Sequence, residues 1–478
     1  MNLSNRPLVE ALKRFKEQQP ISLHVPGHKH GTLSRLPNEL REALAYDFTE
    51  LTGLDDLHEA EGAIKEAEDL LSKLYQSTRS FFLVNGSTVG NLAMIYAICG
   101  QGDTVIIQRN AHKSVFNAVE LTGAEPVLIT PHLDNHTRTP GIVELEQVKE
   151  ALNAYPEAKG VVLTYPTYYG VAGGNLKGII DFCHARSVPV LVDEAHGAHF
   201  IIGEPFPKSA IELGADVVVH SAHKTLPAMT MASYLHVQSE FIDDKKIAHY
   251  LQMLQSSSPS YVLMASLDDA RAYVADYNEK DKRHFSMLRT QFIEAMKNRT
   301  SFEIIETDDP LKLLIRLEGY TGFEIQELLE SKGLYAELAD PYQVLFVLPL
   351  WNGTSTFPLA EWIAKMTAAI GILDKKRSNG GGIDLPEWPI GISTLACSPA
   401  QWAFMQTEWI TIEESVGRIV AKSLIPYPPG IPLLMKGEKV LDSHLKTLFQ
   451  LVEMGSRFHG ADRLEIGEIL VMTRDSEA

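Results

Sequence analysis

The stretch from Val190 to Lys224 decides the fold of this chain. Val190-Leu191-Val192 leads into Asp193-Glu194-Ala195-His196, and Asp216-Val217-Val218-Val219 leads into His220-Ser221-Ala222-His223-Lys224. Short apolar, β-branched runs of this kind predict strands of a parallel sheet that is covered on both faces. Ligands of open α/β sheets bind at the carboxyl ends of the strands. We therefore expect Asp193 and Lys224 to share one crevice.

Short apolar strands alternate with helical segments throughout residues 61–260. The pattern predicts strands at 81–84, 104–107, 127–129 and 161–163 and helices at 62–76, 89–99, 114–121, 144–154 and 177–185, with a crossover helix at 209–213. Such alternation indicates an α/β domain with a mostly parallel sheet and right-handed crossovers.

The rest of the chain divides around this large domain. Residues 1–60 form an N-terminal segment with a helix at 7–18, and residues 261–373 predict a smaller α+β domain. That smaller domain has predicted helices at 261–277, 282–296 and 322–331 and strands at 303–305, 311–317 and 344–348. Residues 374–389 have the glycine- and proline-rich composition of a linker, and 390–478 form a last unit.

Composition excludes several classes of function. The 478 residues carry 43 basic and 61 acidic side chains, a formal net charge of -18. Such an acidic chain does not favour nucleic acid or an anionic membrane as a partner. The three cysteines are scattered and odd in number, which is typical of buried thiols in a reducing compartment. With no apolar signal core at the N-terminus, we expect a cytoplasmic protein.

A histidine-rich loop offers an alternative from a different class. His24, His28 and His30 are close enough in sequence to bind a metal ion, as in a metal-dependent hydrolase. Pro26 and Gly27 interrupt the loop, so a helical His-x-x-x-His arrangement is not formed. We expect no metal here, but the hydrolase remains an alternative.

Polar residues at the predicted strand ends favour pyridoxal phosphate (PLP). A lysine can hold the aldehyde of this cofactor as a Schiff base, and a carboxylate can keep its ring nitrogen protonated. Ser87 and Thr88 lie at a strand-to-helix turn, where backbone N–H groups bind phosphate, although both residues are also ordinary helix caps. Each of the other residues also has an ordinary structural explanation. His112 could stack on the ring, His196 could reach the same ligand as Asp193, and Ser221 could contact the phosphate.

The chain resembles the PLP-dependent ornithine/lysine/arginine decarboxylases of bacteria, a branch of the aspartate aminotransferase fold type (fold type I). The matching stretches run from near the N-terminus into the last unit: His24-Val25-Pro26-Gly27-His28-Lys29, Phe48-Thr49-Glu50-Leu51, Asn85-Gly86-Ser87-Thr88, Arg109-Asn110-Ala111-His112-Lys113-Ser114, Asp193-Glu194-Ala195-His196-Gly197-Ala198-His199, Ser221-Ala222-His223-Lys224, Ser257-Ser258-Pro259-Ser260-Tyr261 and Pro426-Tyr427-Pro428-Pro429-Gly430-Ile431-Pro432.

The resemblance assigns a role to each candidate residue. It implies that Lys224 forms the Schiff base, that Asp193 pairs with the ring nitrogen, and that His112 stacks on the ring. Ser87, Thr88 and Ser221 would hold the phosphate, and His223 would be a proton donor beside the lysine. Ser257, where relatives commonly have threonine, would reach the phosphate of a neighbouring subunit.

The resemblance also implies an organisation. It implies an aspartate aminotransferase-like large domain, a smaller α+β domain and a C-terminal α+β domain. The C-terminal domain, which carries the matching stretch from Ile412 to Arg418, is expected to help close the active-site entrance. Larger relatives begin with a receiver-like domain, which we expect to be absent because the His24 loop lies so near the start. A dimer with shared active sites is then the expected minimum.

The activity implied is decarboxylation of a basic L-amino acid. We expect arginine to be converted to agmatine and CO2 in polyamine biosynthesis, with lysine and ornithine as close alternatives. A PLP aminotransferase or a non-catalytic regulator on the same fold also stays open. A carboxylate is expected at the distal cationic end of the substrate. Glu337, Asp340, Glu413 and Glu438 are candidates, and none of them is preferred.

Overall fold

The computed structural model describes residues 2–373, 391–427, 432–460 and 462–473. The predicted linker at 374–389, and the middle of the motif that begins at Pro426, lie outside the described residues. The described chain divides into two compact units. The first comprises Met1–Ile98, Leu176–Gly203 and Lys208–Tyr277, and the second comprises Cys99–Asn175, Glu204–Pro207 and Asn278–Ala478.

The helices and strands follow one another closely along the described chain. Up to residue 175 they are α1 Pro7–Glu17, α2 Asn38–Ala43, α3 Ala63–Tyr75, β1 Arg79–Leu83, α4 Gly86–Ile98, β2 Thr104–Gln108, α5 Lys113–Thr122, β3 Glu125–Thr130, β4 Leu133–Asp134, β5 Thr139–Pro140, α6 Leu145–Ala154 and β6 Val161–Thr164.

From residue 176 they are α7 Leu176–His184, β7 Val190–Asp193, β8 Val217–His220, α8 Ala222–Thr225, β9 Ser233–Val237, α9 Asp244–Leu254, α10 Tyr261–Asp276, α11 Glu279–Arg299, β10 Glu303–Glu306, β11 Lys312–Arg316, α12 Gly322–Glu330, β12 Leu338–Ala339, β13 Val344–Val347, α13 Leu359–Leu373, β14 Gly391–Thr394, β15 Thr407–Thr411, β16 Ile425–Tyr427, α14 Asp442–Glu453, β17 Arg457–His459 and β18 Glu468–Met472.

The strands of the first unit follow the order β1-β9-β8-β7. β7 and β8 are parallel, as the sequence predicts, whereas β9 is antiparallel to both β8 and β1. Every residue of β7 and β8 is buried, which agrees with their apolar, β-branched composition. The sequence pattern did not predict β9 or the following helix α9.

Helix α4 packs unusually close to this sheet because of Gly90. A Cβ atom at that position would lie 2.9 Å from side-chain atoms of both Leu83 and Val219. Gly86, at the first position of the helix, has a φ of +75°, a conformation that glycine adopts without strain. The two glycines therefore set the N-terminal turn of α4 directly against the strands.

The predicted crossover helix at 209–213 is wrong. This segment forms a single turn, in which Leu213 N–H donates to the Ser209 carbonyl at 3.1 Å. The Ser209 hydroxyl and the Ala210 N–H donate to the Glu194 carboxylate at 2.6 and 2.9 Å. These two bonds hold the start of the turn at the end of β7, and a regular helix does not develop.

In the second unit, β2 pairs in parallel with both β6 and β3, and β14 is antiparallel to β3. A separate antiparallel sheet has the order β10-β11-β13-β12. Residues 391–473 have their own apolar cluster, which includes Val420, Leu433 and Leu448, beside the antiparallel pair β15 and β18. The predicted domain limits, 61–260, 261–373 and 390–478, remain predictions.

Among the described residues, none of the helices combines the length and the apolar character that crossing a membrane requires.

Candidate active site

The ends of β7 and β8 place a buried carboxylate and a lysine at the same edge of the sheet. Asp193 is the last residue of β7 and aligns with Val219 of the parallel strand β8. Lys224 follows on the one-turn helix α8, and its Nζ lies 3.0 Å from Nε2 of His196. His196 belongs to the loop that leaves Asp193. The structure thus brings Lys224 into contact with His196, three residues after Asp193. The roles predicted for these residues stay predictions.

The Asp193 carboxylate is held by two N–H donors. The Asn91 amide of α4 donates to Oδ2 at 2.8 Å, and the Ala195 backbone N–H donates to Oδ1 at 3.1 Å. Asp193 is 3% exposed and Asn91 is fully buried. A carboxylate held at both oxygens keeps one orientation, so it can present a fixed acceptor to a protonated ring nitrogen.

The N-terminal turn of α4 forms a second part of the site. The Ser221 hydroxyl, which follows β8, donates to the Ser87 hydroxyl at 2.7 Å. Ser221 is buried, Ser87 is half-buried and Thr88 is exposed. Backbone N–H groups at the start of this 13-residue helix, together with hydroxyl groups, make a suitable binding site for a phosphate.

Two hydrogen bonds connect the loop before α10 to the residues that lead into α4. Asn85 Oδ1 accepts the Ser256 N–H at 3.3 Å, and Gln255 Oε1 accepts the Val84 N–H at 2.8 Å. The next residue, Ser257, is exposed. Its predicted role toward a neighbouring subunit stays a prediction.

His223 is oriented by a backbone carbonyl. Its Nδ1 lies 3.1 Å from the Ala232 carbonyl oxygen, which can only accept, so Nδ1 carries the hydrogen. In the neutral ring Nε2 then has the lone pair, and a further proton would be held there. This geometry is compatible with the predicted function of His223 in proton transfer.

His112 belongs to the second unit, where it caps helix α5. Its Nδ1 accepts the Ser114 N–H at 3.2 Å and lies 2.8 Å from the Ser114 hydroxyl oxygen. The side chain is exposed. Its stacking role stays a prediction.

Three of the four acidic candidates for the substrate's cationic end have structural partners. Glu438 forms a buried ion pair with Arg109, and Asp340 accepts the Tyr169 hydroxyl at 2.8 Å. Burial raises the pKa of Asp340 above its ordinary value. Glu337 accepts the Tyr168 hydroxyl at 2.5 Å, and Glu413 is exposed.

The histidine-rich loop has a different geometry from a metal site. His28 Nε2 lies 3.1 Å from Asp47 Oδ2, and the rings of His24 and His30 are 5.8 Å apart. Within the described ranges, no group of three or more His, Cys, Asp or Glu side chains is arranged to hold a metal ion.

The residues of the first unit fit the cofactor that the resemblance implies. A buried, oriented carboxylate suits a pyridinium nitrogen, a half-buried lysine suits an aldehyde, and a helix N-terminus with hydroxyls suits a phosphate. Three residues of the arrangement were not predicted: Asn91, Glu194 and His220. Glu194 and His220 form a buried pair behind the site, with 2.6 Å between Oε2 and Nε2. Their places directly after Asp193 and directly before Ser221 are the sequence signal that could have found them.

Comparison with known proteins agrees with this geometry. The model of the Orn/Lys/Arg decarboxylase major domain matches residues 6–311, and that of the Orn/Lys/Arg decarboxylase C-terminal domain matches 395–463. YaaO of Bacillus subtilis (strain 168), described as an uncharacterized protein, is 45% identical, with 99% of this chain and 100% of YaaO covered. An arginine decarboxylase of the same strain is 33% identical, with 97% of this chain and 96% of that protein covered.

A solved structure shows the same fold. The lysine decarboxylase LdcF of Francisella novicida superposes with a TM-score of 0.78 at 19% identity, with 98% of this chain and 81% of that chain covered. This likeness confirms the predicted fold class, a large mostly parallel sheet followed by smaller α+β parts.

Proposed function

This chain belongs to the Orn/Lys/Arg decarboxylase family, and from that membership we propose that it is a PLP-dependent enzyme that decarboxylates a basic L-amino acid, with arginine preferred. The observation that carries the proposal is the strand-end arrangement of Lys224 against His196 beside the Asn91-held carboxylate of Asp193. When bound, PLP supplies an aldehyde that captures the substrate amine and a ring that accepts the electron pair left by departing CO2.

The candidate site residues of the first unit have defined roles in this chemistry. With PLP bound, Lys224 Nζ would hold its aldehyde and Asp193 would keep a proton on its ring nitrogen. The phosphate is bound by the hydroxyls of Ser87, Thr88 and Ser221 and by the first N–H groups of α4. His223 holds a proton at Nε2 for return to the substrate's α-carbon.

The preference for arginine is supported by the relatives. The arginine decarboxylase of Bacillus subtilis is 33% identical over nearly the whole of both chains, whereas the lysine decarboxylase of Francisella novicida is 19% identical. The product would be agmatine, which serves polyamine biosynthesis. The ring-stacking role of His112 rests on the resemblance of its motif to the family alone.

We also propose at least a dimer with shared active sites. Apolar side chains with large exposed fractions are concentrated in the segment 21–40: Ile21, Leu23, Val25, Leu33, Leu36 and Leu40. Such a concentration is typical of a surface that a partner covers. Ser257, exposed beside the phosphate-binding turn, then contacts the phosphate of the partner's site.

The cytoplasm is the proposed location. Cys99, Cys183 and Cys397 are buried. Burial raises the pKa of the Cys183 thiol to about 12 and also raises the pKa of Cys397. Unreactive buried thiols of this kind are compatible with a reducing compartment.

The direct test is product identification. The purified chain is incubated with PLP and, separately, with arginine, lysine or ornithine, and the products are identified by mass spectrometry. Agmatine formed faster than cadaverine or putrescine supports the proposal. Keto acids would instead identify an aminotransferase, and no product from any of the three substrates would contradict the proposed activity.

A lysine variant tests the site itself. Lys224→Ala should abolish both agmatine formation and the yellow absorbance of the lysine-bound cofactor. The matched control is Lys177→Ala, because Lys177 is a surface lysine of α7 that pairs with Asp181. An unchanged spectrum in Lys224→Ala would show that another group binds the aldehyde.

A further inference from the structure

A fully buried glutamate and histidine connect the two strand ends behind the candidate site. His220 Nε2 and Glu194 Oε2 are 2.6 Å apart, and both side chains have no exposed surface. A carboxylate only accepts when ionised, so His220 donates through Nε2–H. The remaining carboxylate contacts come from the turn after β7, where Ser209 and Ala210 donate to Glu194.

The histidine is itself fixed from its other side. His220 Nδ1 lies 3.1 Å from His236 Nε2, and His236 Nδ1 lies 2.7 Å from the Ser80 hydroxyl. The ring of Tyr75 stacks on His236 with 4.4 Å between the centroids. Burial, with a further contribution from His220, holds the pKa of His236 well below its ordinary value, so this ring stays neutral. The connected side chains link the residue after β7 with β8, β9 and β1.

Both members of the pair are sequence neighbours of the residues that would hold the cofactor. Glu194 follows Asp193, and His220 precedes Ser221, which contacts Ser87 and lies three residues before Lys224. A change in the Glu194–His220 separation therefore moves the backbone of Asp193 relative to that of Ser221. Charge-assisted hydrogen bonds of this length tolerate little displacement.

We propose that Glu194 and His220 are positioning residues, whose buried hydrogen bond fixes the distance between the ring-nitrogen partner Asp193 and the phosphate and aldehyde ligands Ser221 and Lys224. The inference rests on the proposed function, since it presupposes that PLP binds here. Neither side chain contacts the reacting atoms. They act through the backbone of the two strand ends.

The same two strands provide a matched control at their opposite ends. His184 Nε2 lies 2.8 Å from Asp216 Oδ2, and the same Oδ2 accepts the Val190 N–H at 2.7 Å. The pair connects the last residue of α7 with the beginning of β8, and the Asp216 carboxylate also holds the first residue of β7. A purely structural role for such pairs predicts the same consequences at both ends, whereas a positioning role predicts an effect on the cofactor at one end alone.

The experiment compares the full chain with Glu194→Gln, His220→Gln and His184→Gln. PLP affinity is measured by absorbance titration, the pH dependence of the lysine-bound cofactor's absorbance is recorded, and melting temperatures report folding. We expect Glu194→Gln and His220→Gln to weaken PLP binding about tenfold, as for loss of a hydrogen bond to a charged group, and to shift the pH midpoint. His184→Gln should lower the melting temperature and leave affinity within about twofold.

A milder variant keeps the proposal testable if both Glu194→Gln and His220→Gln fail to fold. Ser209→Ala removes one donor from Glu194 without removing the pair, and it should weaken PLP binding by a few fold. Wild-type affinity and pH midpoint in Glu194→Gln, or in Ser209→Ala where the former does not fold, would overturn the positioning role. An equal loss of affinity in His184→Gln would overturn it as well. Failure of the unmodified chain to bind PLP would instead overturn the proposed function, and the positioning role with it.

Discussion

Asn91 controls the orientation of the carboxylate on which the proposed chemistry depends. Its amide donates to Asp193 Oδ2 from a fully buried position in α4. We predict that Asn91→Ala weakens PLP binding about tenfold, because a hydrogen bond to a charged group is lost. Absorbance titration measures the affinity. Met94→Leu is the control, since it changes packing at another buried position of the same helix. Equal affinities in the two variants would contradict the role of Asn91.

Glu68 gives the first unit a predictable dependence on pH. It is buried in α3, its Oε1 accepts the Phe82 N–H at 2.8 Å, and burial raises its pKa to about 8. The folded chain therefore keeps a proton on Glu68 that the unfolded chain loses above pH 4.5. Stability falls as pH rises between these two values, by at most about 1.4 kcal/mol per pH unit.

Substituting Glu68 removes its contribution to the pH dependence of stability. We predict that Glu68→Gln matches the unmodified chain near pH 4 and becomes progressively more stable than it toward pH 8, as measured by urea unfolding at several pH values. Glu66→Gln, two residues earlier at an exposed position of the same helix, serves as the control. A constant difference across the pH range would show that Glu68 is already ionised in the folded chain.

At the residue scale, the candidate site residues that could be predicted from the sequence are those at the ends of strands. Asp193, Lys224 and Ser221 could be named because parallel strands present their carboxyl ends at one edge. Asn91 and the Glu194–His220 pair escaped prediction because their importance comes from contacts between distant segments. Asn91 is 102 residues from Asp193, and Glu194 is 26 residues from His220.

At the element scale, most predicted helices and strands of residues 61–260 are confirmed within a few residues of their ends, and the exceptions have physical causes. The segment at Ser209 was predicted as a helix because the stretch between Asp193 and Lys224 is long enough for one crossover helix. The Glu194 carboxylate instead accepts the first donors of this segment. Strand β9 was missed because parallel alternation leads one to expect a helix after β8, and β9 instead returns antiparallel.

A buried ion pair in the second unit fixes the end of β2 against the C-terminal part. Arg109 donates to both carboxylate oxygens of Glu438, through Nη1 at 3.0 Å and through Nη2. Nη2 also donates to the Ser393 hydroxyl at 2.8 Å. We predict that Glu438→Ala lowers the free energy of unfolding by about 3–5 kcal/mol, because an uncompensated guanidinium stays buried. Urea unfolding followed by tryptophan fluorescence provides the measurement.

Two comparisons make this prediction specific. Lys436→Ala removes the more exposed pair with Glu120, and its expected cost is about 1 kcal/mol or less. The double variant Arg109→Met, Glu438→Leu should recover most of the lost stability, since apolar residues of similar volume often replace a buried pair without loss. If Glu438→Ala loses no more unfolding free energy than Lys436→Ala, the Arg109 guanidinium becomes solvated in the variant and the prediction is wrong.

At the scale of the whole molecule, the sequence motifs identified the family because they are spread from His24 to Pro432. The match of family models to 6–311 and 395–463 confirms that identification. The division into the units described above was harder to predict, because each unit combines segments that are far apart in sequence. Periodicity reports on local segments and contains no information about which of them pack together.

Self-association is the property of the whole molecule that can be tested most directly. Leu23 is 93% exposed, the largest exposed fraction in the apolar segment 21–40. If a second copy covers this segment, a charge at Leu23 must be desolvated on association, which disfavours the dimer. We predict that Leu23→Glu shifts the chain toward monomer in sedimentation velocity and that its specific activity falls on dilution, because shared sites are then incomplete. Leu121→Glu, at an exposed apolar position of α5, is the control. If Leu23→Glu and Leu121→Glu have the same sedimentation coefficient and the same specific activity on dilution, the interface lies elsewhere.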